Sequence, residues 1–211
     1  MPVPTCGGPL YVAWASIGMD RFAYIMRKYP NLFKELVMTH VKNTAEAHKC
    51  YYELGIDMMM TCDDHALKGS SMFNPKQIKE FVEPAYRLLA ETAHKYGAKY
   101  IVHTDGDYTS EMDSLVAAGV DAVEPLEYEA GMRLKHLKEN WGNDLCFIGN
   151  VPASDALCVG TVEDTIEHTK KCIRDAGEGG GLILAQGANL LGCSKVENVQ
   201  AMIETVKKFG T

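Results

Sequence analysis

Lys99-Tyr100-Ile101-Val102-His103-Thr104-Asp105-Gly106-Asp107 is a short apolar run that ends abruptly in histidine, carboxylate and glycine. It reads as a buried strand delivering polar groups to a rim. Side chains alternate faces along a strand, so His103 and Asp105 point the same way and Thr104 the other. An imidazole and a carboxylate therefore share one small volume. Such a pair can bind a metal, or act as an acid–base group with an orienting partner. The alternative is a histidine satisfied by strand-end backbone, with Asp105 capping the next loop.

The same grammar recurs on both sides of this stretch: amphipathic helix, glycine, apolar strand, polar strand end. Strands are expected at residues 57–62, 99–104, 122–126, 145–149 and 182–185, and each follows glycine, at Gly55, Gly97, Gly119, Gly142 and Gly179-Gly180-Gly181. A first strand is expected at residues 10–15. The helices between carry start signals of their own. Leu32, Phe33, Leu36, Val37, His40 and Val41 recur at helical spacing, in a helix that runs on to Leu54. Asn74-Pro75 fits an N-cap followed by proline at the first helical position, Thr161 opens a helix in the same manner, and Ser194 with Glu197 forms a capping box.

Strands alternating with helices imply right-handed βαβ units and a parallel sheet. An open dinucleotide-binding sheet would carry GxGxxG after its first strand, and no such fingerprint is present. In a TIM-type (β/α)8 barrel, chemistry gathers at the C-terminal ends of many strands at once. That is the pattern here: Asp63 and Asp64, then His103 and Asp105, Glu124 and Glu127, Asn150, and finally Gln186 and Asn189 close successive strands. The expected architecture is an α/β barrel of this type, incomplete at its N-terminus with about six βα units, forming one domain over residues 1–211. Six strands cannot close an eight-stranded barrel, so the exposed edge implies a homo-oligomer or a covering partner.

Of the adjacent Asp63 and Asp64 only one can face the barrel mouth, and the other is free to cap a loop N–H. Glu124, a carboxylate in an apolar run, must be paired, protonated or at the mouth. Asp64, Glu124, Asn150 and Asn189 are the candidate substrate-binding residues, with His103 and Asp105 as the catalytic pair and the ligands of any metal. Asn150 could equally serve turn chemistry beside Gly149. Cys193, in the loop after the last strand, is a weak nucleophile candidate without a basic neighbour. The Gly177-Glu178-Gly179-Gly180-Gly181 run lies before a strand, on the side opposite the active face, and reads as a flexible turn rather than a phosphate cradle.

With 211 residues, 46% hydrophobic and 23% charged, the chain can bury one sizeable core. A net charge of -7 and the lack of a basic run with interleaved aromatics argue against nucleic acid as a partner. Neither a signal peptide nor a membrane span is legible, which places the protein in the cytoplasm. Seven cysteines without a CxxC spacing argue against both a disulfide framework and a zinc ribbon.

The succession Gly8-Pro9, Asp63-Asp64, His103-Thr104-Asp105-Gly106, Gly119-Val120-Asp121-Ala122-Val123-Glu124-Pro125, Ile148-Gly149-Asn150 and Glu197-Asn198 resembles the uroporphyrinogen decarboxylase superfamily, which also holds the corrinoid-dependent methyltransferases. The resemblance runs in order over nearly the whole chain. It implies a (β/α)8 barrel of which this chain covers the C-terminal two thirds. The arginine-bearing segment and the early aspartate with which true decarboxylases grip a porphyrinogen would lie upstream of Met1. The thiol-methylating branch keeps zinc on a His-x-Cys pair and a second cysteine. Here His103 matches the histidine, Asp105 stands in place of the first cysteine, and the second falls near Ala188. The histidine–aspartate version is similar to relatives that demethylate methyl ethers or methylamines. What the resemblance implies is a methyltransferase that moves a methyl group from such a small substrate to a corrinoid supplied by a partner protein, with Zn2+ on His103 and Asp105 if the pair holds a metal. The alternatives are a uroporphyrinogen decarboxylase, a carboxy-lyase of porphyrin biosynthesis, and a barrel fragment that is non-catalytic or completed by an oligomer.

Overall fold

The structure is a computed structural model that describes residues 3–210. Six strands form one sheet: β1 (Thr5–Gly7), β2 (Met58–Cys62), β3 (Lys99–His103), β4 (Ala122–Glu124), β5 (Cys146–Val151) and β6 (Leu182–Gln186). They lie side by side in chain order and every pairing is parallel, as helical crossovers between successive strands require. The register sets Cys62 opposite His103, and His103 opposite Glu124. The C-terminal ends of β2, β3 and β4 thus form a single row of functional groups. Among the described residues β1 and β6 are the two edges of the sheet.

The helices are α1 (Pro9–Ile17), α2 (Met19–Lys28), α3 (Pro30–Glu53), α4 (Glu83–Lys95), α5 (Met112–Ala118), α6 (Leu134–Trp141), α7 (Val162–Ala176) and α8 (Val196–Phe209). A helical stretch leads into α4: Pro75–Gln77, then a wider π turn over Ile78–Val82. Its start is a capping box, in which the Asn74 side chain accepts from Gln77 N and the Gln77 side chain accepts from Asn74 N, both at 3.0 Å. Thr161 and Asp164 do the same for α7.

α3 buries Phe33, Val37, Val41, Ala45, His48 and Tyr52, a stripe spaced by three and four residues. Leu32, expected on that stripe, lies one position off it and faces solvent. Phe33 meets Phe22 and Phe81 edge-on, with ring centroids 4.8 Å apart in both pairs. Each such contact contributes about 0.5–1.5 kcal/mol beyond the area it buries. One continuous apolar cluster runs from α1 to α8.

Three expectations are corrected. Residues 10–15 form helix α1, not the first strand, which is the shorter Thr5–Gly7. Pro9 starts the helix, and Leu10 and Ala13 are buried at helical spacing. The cap comes from a distant residue, Asp63, whose Oδ1 accepts from Leu10 N at 2.6 Å and Tyr11 N at 3.0 Å. Ser194 does not cap α8: its N-cap is Lys195, and the helix start is held instead by Asn198, whose Nδ2 donates to Ala156 O, Leu157 O and Gly160 O. Cys158 and Cys193 form a disulfide between the 153–159 turn and the loop before α8, so Cys193 is no free thiol at the mouth. The two cysteines stand 35 residues apart, and only the packing of that turn against the start of α8 brings them together.

Candidate active site

The site is built on the row Cys62–His103–Glu124. Strand alternation puts Met60 and Cys62 on the concave side of β2, and Ile101 and His103 on that of β3, while Asp64, just past the end of β2, lines the same cavity. A cavity of about 550 Å³ opens over their C-terminal ends, lined by Cys6, Tyr11, Cys62, Asp64, His103, Glu124 and Asn189 among others.

His103 stands at its floor, 9% exposed. Its Nδ1 is hydrogen-bonded to Glu124 Oε2. Its Nε2 faces two carboxylates, with Asp64 Oδ1 at 3.4 Å and Asp105 Oδ1 at 4.0 Å. Asp64 Oδ1 also accepts from the main-chain N–H of Asp105 at 3.4 Å. Glu127, the other acid after β4, accepts from Gly106 N at 2.9 Å and so braces the loop that carries Asp105.

Electrostatics follow from this arrangement. Burial opposes the charged form of His103, but hydrogen bonds to Asp64 and Glu124, together with their negative charge, outweigh it and lift its pKa to about 10. The hydrogen bond to His103 is the main reason Asp64 lies below the usual carboxylate range. Burial pushes Asp105 up, and His103 counters this only in part. Burial and then the charges of Asp64 and Glu124 push the Cys62 thiol up to about 12, so it remains a neutral thiol.

The donor set also fits a divalent cation. One donor atom each from Asp64, His103 and Asp105 lies within 4.8 Å of the other two. Asp105 Oδ1, the oxygen facing Nε2, is buried and has no hydrogen-bond partner among the described residues. An orphaned buried acceptor of this kind calls for a cation or a donor. A carboxylate on the far ring nitrogen, the position Glu124 occupies, is the support found behind metal-bound histidines. One imidazole and two carboxylates suit Zn2+ with an open position.

Not every candidate converges. Asp64, His103, Glu124 and Asn189 line the cavity, with Asp105 beside His103. Asn150 does not: it is 3% exposed, and its amide donates to Leu126 O and, at 3.1 Å, to Met132 O, which ties the end of β5 to the loop after β4. Asp63 is turned away beneath the site, where it caps α1 and accepts from Tyr86 Oη at 2.9 Å. Cys6, Tyr11 and Cys62 line the cavity without having been singled out. The period of two along β2 puts Cys62 on the same face as Met60, and this was the available signal.

Residues 3–209 match the uroporphyrinogen decarboxylase (URO-D) family. A curated relative, the methylated-thiol–coenzyme M methyltransferase of Methanosarcina mazei, is 21% identical over 206 residues, which is 98% of this chain and 53% of that protein. The chain thus spans about half the length of the curated relative it matches. A solved methyltransferase structure from Methanosarcina mazei superposes with a TM-score of 0.83 at 20% identity, covering 98% of this chain and 58% of that one, and it supports the barrel assignment of the six-stranded sheet. The family match, extending over nearly every residue of a parallel barrel sheet with its polar groups at the C-terminal strand ends, shows that the chain belongs to the uroporphyrinogen decarboxylase (URO-D) family.

Proposed function

We propose that the protein is a methyltransferase that moves a methyl group from a small methyl ether or methylamine to a corrinoid protein. The observation that carries the reading is His103: Glu124 sits on one ring nitrogen, and Asp64 and Asp105 flank the other at the floor of the cavity. An ether oxygen or amine nitrogen releases its methyl group readily only if the charge developing on it is neutralised as the bond breaks. With its pKa lifted to about 10, His103 is protonated at neutral pH and holds a proton at Nε2, aimed into the cavity.

In the reaction the methyl carbon leaves without its bonding pair and the acceptor supplies two electrons. The pair left on the departing atom takes the proton from His103 Nε2, and the ring recovers a proton from solvent. Glu124 fixes the ring orientation and stabilises the charged ring. Asp64 and Asp105 orient the Nε2 side. Asn189, which lines the cavity, would hydrogen-bond the substrate. If Zn2+ is bound, Asp64, His103 and Asp105 would hold it, and its Lewis-acid stabilisation of the departing atom would stand in place of the proton from His103 Nε2. The corrinoid, presented by its own protein, would be the methyl acceptor.

The reading brings with it a cytoplasmic enzyme with no nucleic-acid or membrane partner, and a homo-oligomer that covers the edges of the sheet. No helix among the described residues is long and apolar enough to cross a membrane. The test is incubation of the protein with cob(I)alamin and a panel of methyl ethers and methylamines, following methylcobalamin by absorbance. Methyl transfer from one member of the panel is the expected result. Absence of methylcobalamin, with coproporphyrinogen formed from uroporphyrinogen, would replace the reading by decarboxylation.

A further inference from the structure

Asp64 is, among the described residues, the one non-glycine residue with left-handed backbone, at φ +44°. Aspartate tolerates this region better than most residues, but the conformation persists only where the surroundings impose it. Here they do so on both sides. Asp63 is fully buried, with three hydrogen bonds to its carboxylate. His65 is 1% exposed and fixed through backbone and ring alike. Its N–H donates to Thr104 Oγ1 at 3.0 Å, and its carbonyl accepts from Met72 N at 3.0 Å. Its Nε2 lies 2.8 Å from Glu111 Oε2, and its Nδ1 lies 3.4 Å from Tyr86 Oη. The second oxygen of Glu111 accepts from Ser71 Oγ.

The two loops that carry the site are locked together at this point. A Cβ on Gly106, the residue after Asp105, would stand 2.7 Å from the carbonyl carbon of Ala66, the residue after His65. Asp107 N donates to Leu67 O at 2.9 Å. His65 and Glu111 lie outside the cavity lining, and a fully buried ion pair of this kind is weak as a source of net stability, because desolvation offsets its attraction. Its geometric consequence is specific: it fixes the residue next to Asp64.

We propose that the buried His65–Glu111 pair is a positioning device for the site, locking the loop after β2 so that Asp64 keeps its left-handed backbone and presents its carboxylate to His103. The inference rests on the assignment of Asp64 and His103 to the functional site. Both His65 and Glu111 act through Asp64 and are positioning residues.

The test uses the full chain and reads the ring ¹⁵N resonances of His103 at one fixed pH, with the exposed His94, bound to Asp121, as an internal control. Asp64→Ala is expected to displace the Nε2 resonance. Glu111→Leu is expected to displace it in the same sense, by more than about half as much, and to add nothing in the double variant, because coupled residues are non-additive. His94 stays in place. Glu111→Met keeps the length of the side chain without an acceptor and carries the same prediction if Glu111→Leu fails to fold. An unmoved His103 in Glu111→Met or Glu111→Leu, full additivity in the double variant, or an Asp64→Ala spectrum identical to wild type would each overturn the proposal. Coupling in a wild type that transfers no methyl group to cob(I)alamin would leave the positioning intact and remove the methyl-transfer reading. Methyl transfer without coupling would do the reverse.

Discussion

Replacing His48 by leucine should make the protein markedly more resistant to acid. His48 lies on the buried stripe of α3, 1% exposed, with Nε2 3.2 Å from Cys6 Sγ and Nδ1 without a hydrogen-bond partner among the described residues. Burial alone lowers its pKa from 6.5 to about 4. The folded protein therefore holds His48 neutral, while the unfolded chain protonates it near 6.5. The stability this contributes is fully present above pH 6.5 and is lost as pH falls toward 4. At about 1.4 kcal/mol per pH unit, the span from 6.5 to about 4 amounts to roughly 3 kcal/mol. Urea unfolding of wild type and His48→Leu at pH 7 and pH 4.5 isolates this term, because other acidic groups titrate alike in both proteins. Wild type should lose about 2–3 kcal/mol more than the variant between the two conditions. Equal losses would refute the account of His48 as a histidine held neutral by burial.

Two further outcomes follow from the fold. Asp63→Ala should destabilise the protein by about 2–4 kcal/mol in the same unfolding assay, since it removes the cap of α1 and leaves the buried Tyr86 hydroxyl without its acceptor. Static light scattering should give a mass above the 23.3 kDa of one chain, because β1 and β6 present sheet edges and Ile183 of β6 is half exposed. A stable monomer over the working concentration range would contradict the covered-edge expectation.

What the sequence disclosed and what it hid divide along physical lines. The repeated glycine stops and apolar strands are local signals, and they located five of the six strands within a few residues. The convergence of Asp64, His103 and Glu124 was legible because strand alternation and the barrel rule both act without knowledge of the partner. Helix α1 was hidden because its cap, Asp63, lies 53 residues away, and β1 because three residues carry no periodicity. The Cys158–Cys193 bond was hidden for a similar reason, as no spacing rule anticipates a contact made by helix packing. Asn150 follows a polar pattern that suits a strand mouth, yet the carbonyls of Leu126 and Met132 claim its amide, and only the folded loop reveals that competition. The His65–Glu111 pair likewise joins residues 46 apart, neither of which belongs to a motif.

The central claim is that His103, gripped by Glu124 and facing Asp64 and Asp105, carries the chemistry of the cavity. The most direct test compares wild type with His103→Ala in the cob(I)alamin methylation assay, using the substrate on which wild type is active. The account predicts a fall in kcat/KM of about 10²–10⁴-fold, with the variant folded by circular dichroism. A His103→Ala protein that methylates cob(I)alamin at the wild-type rate would contradict it.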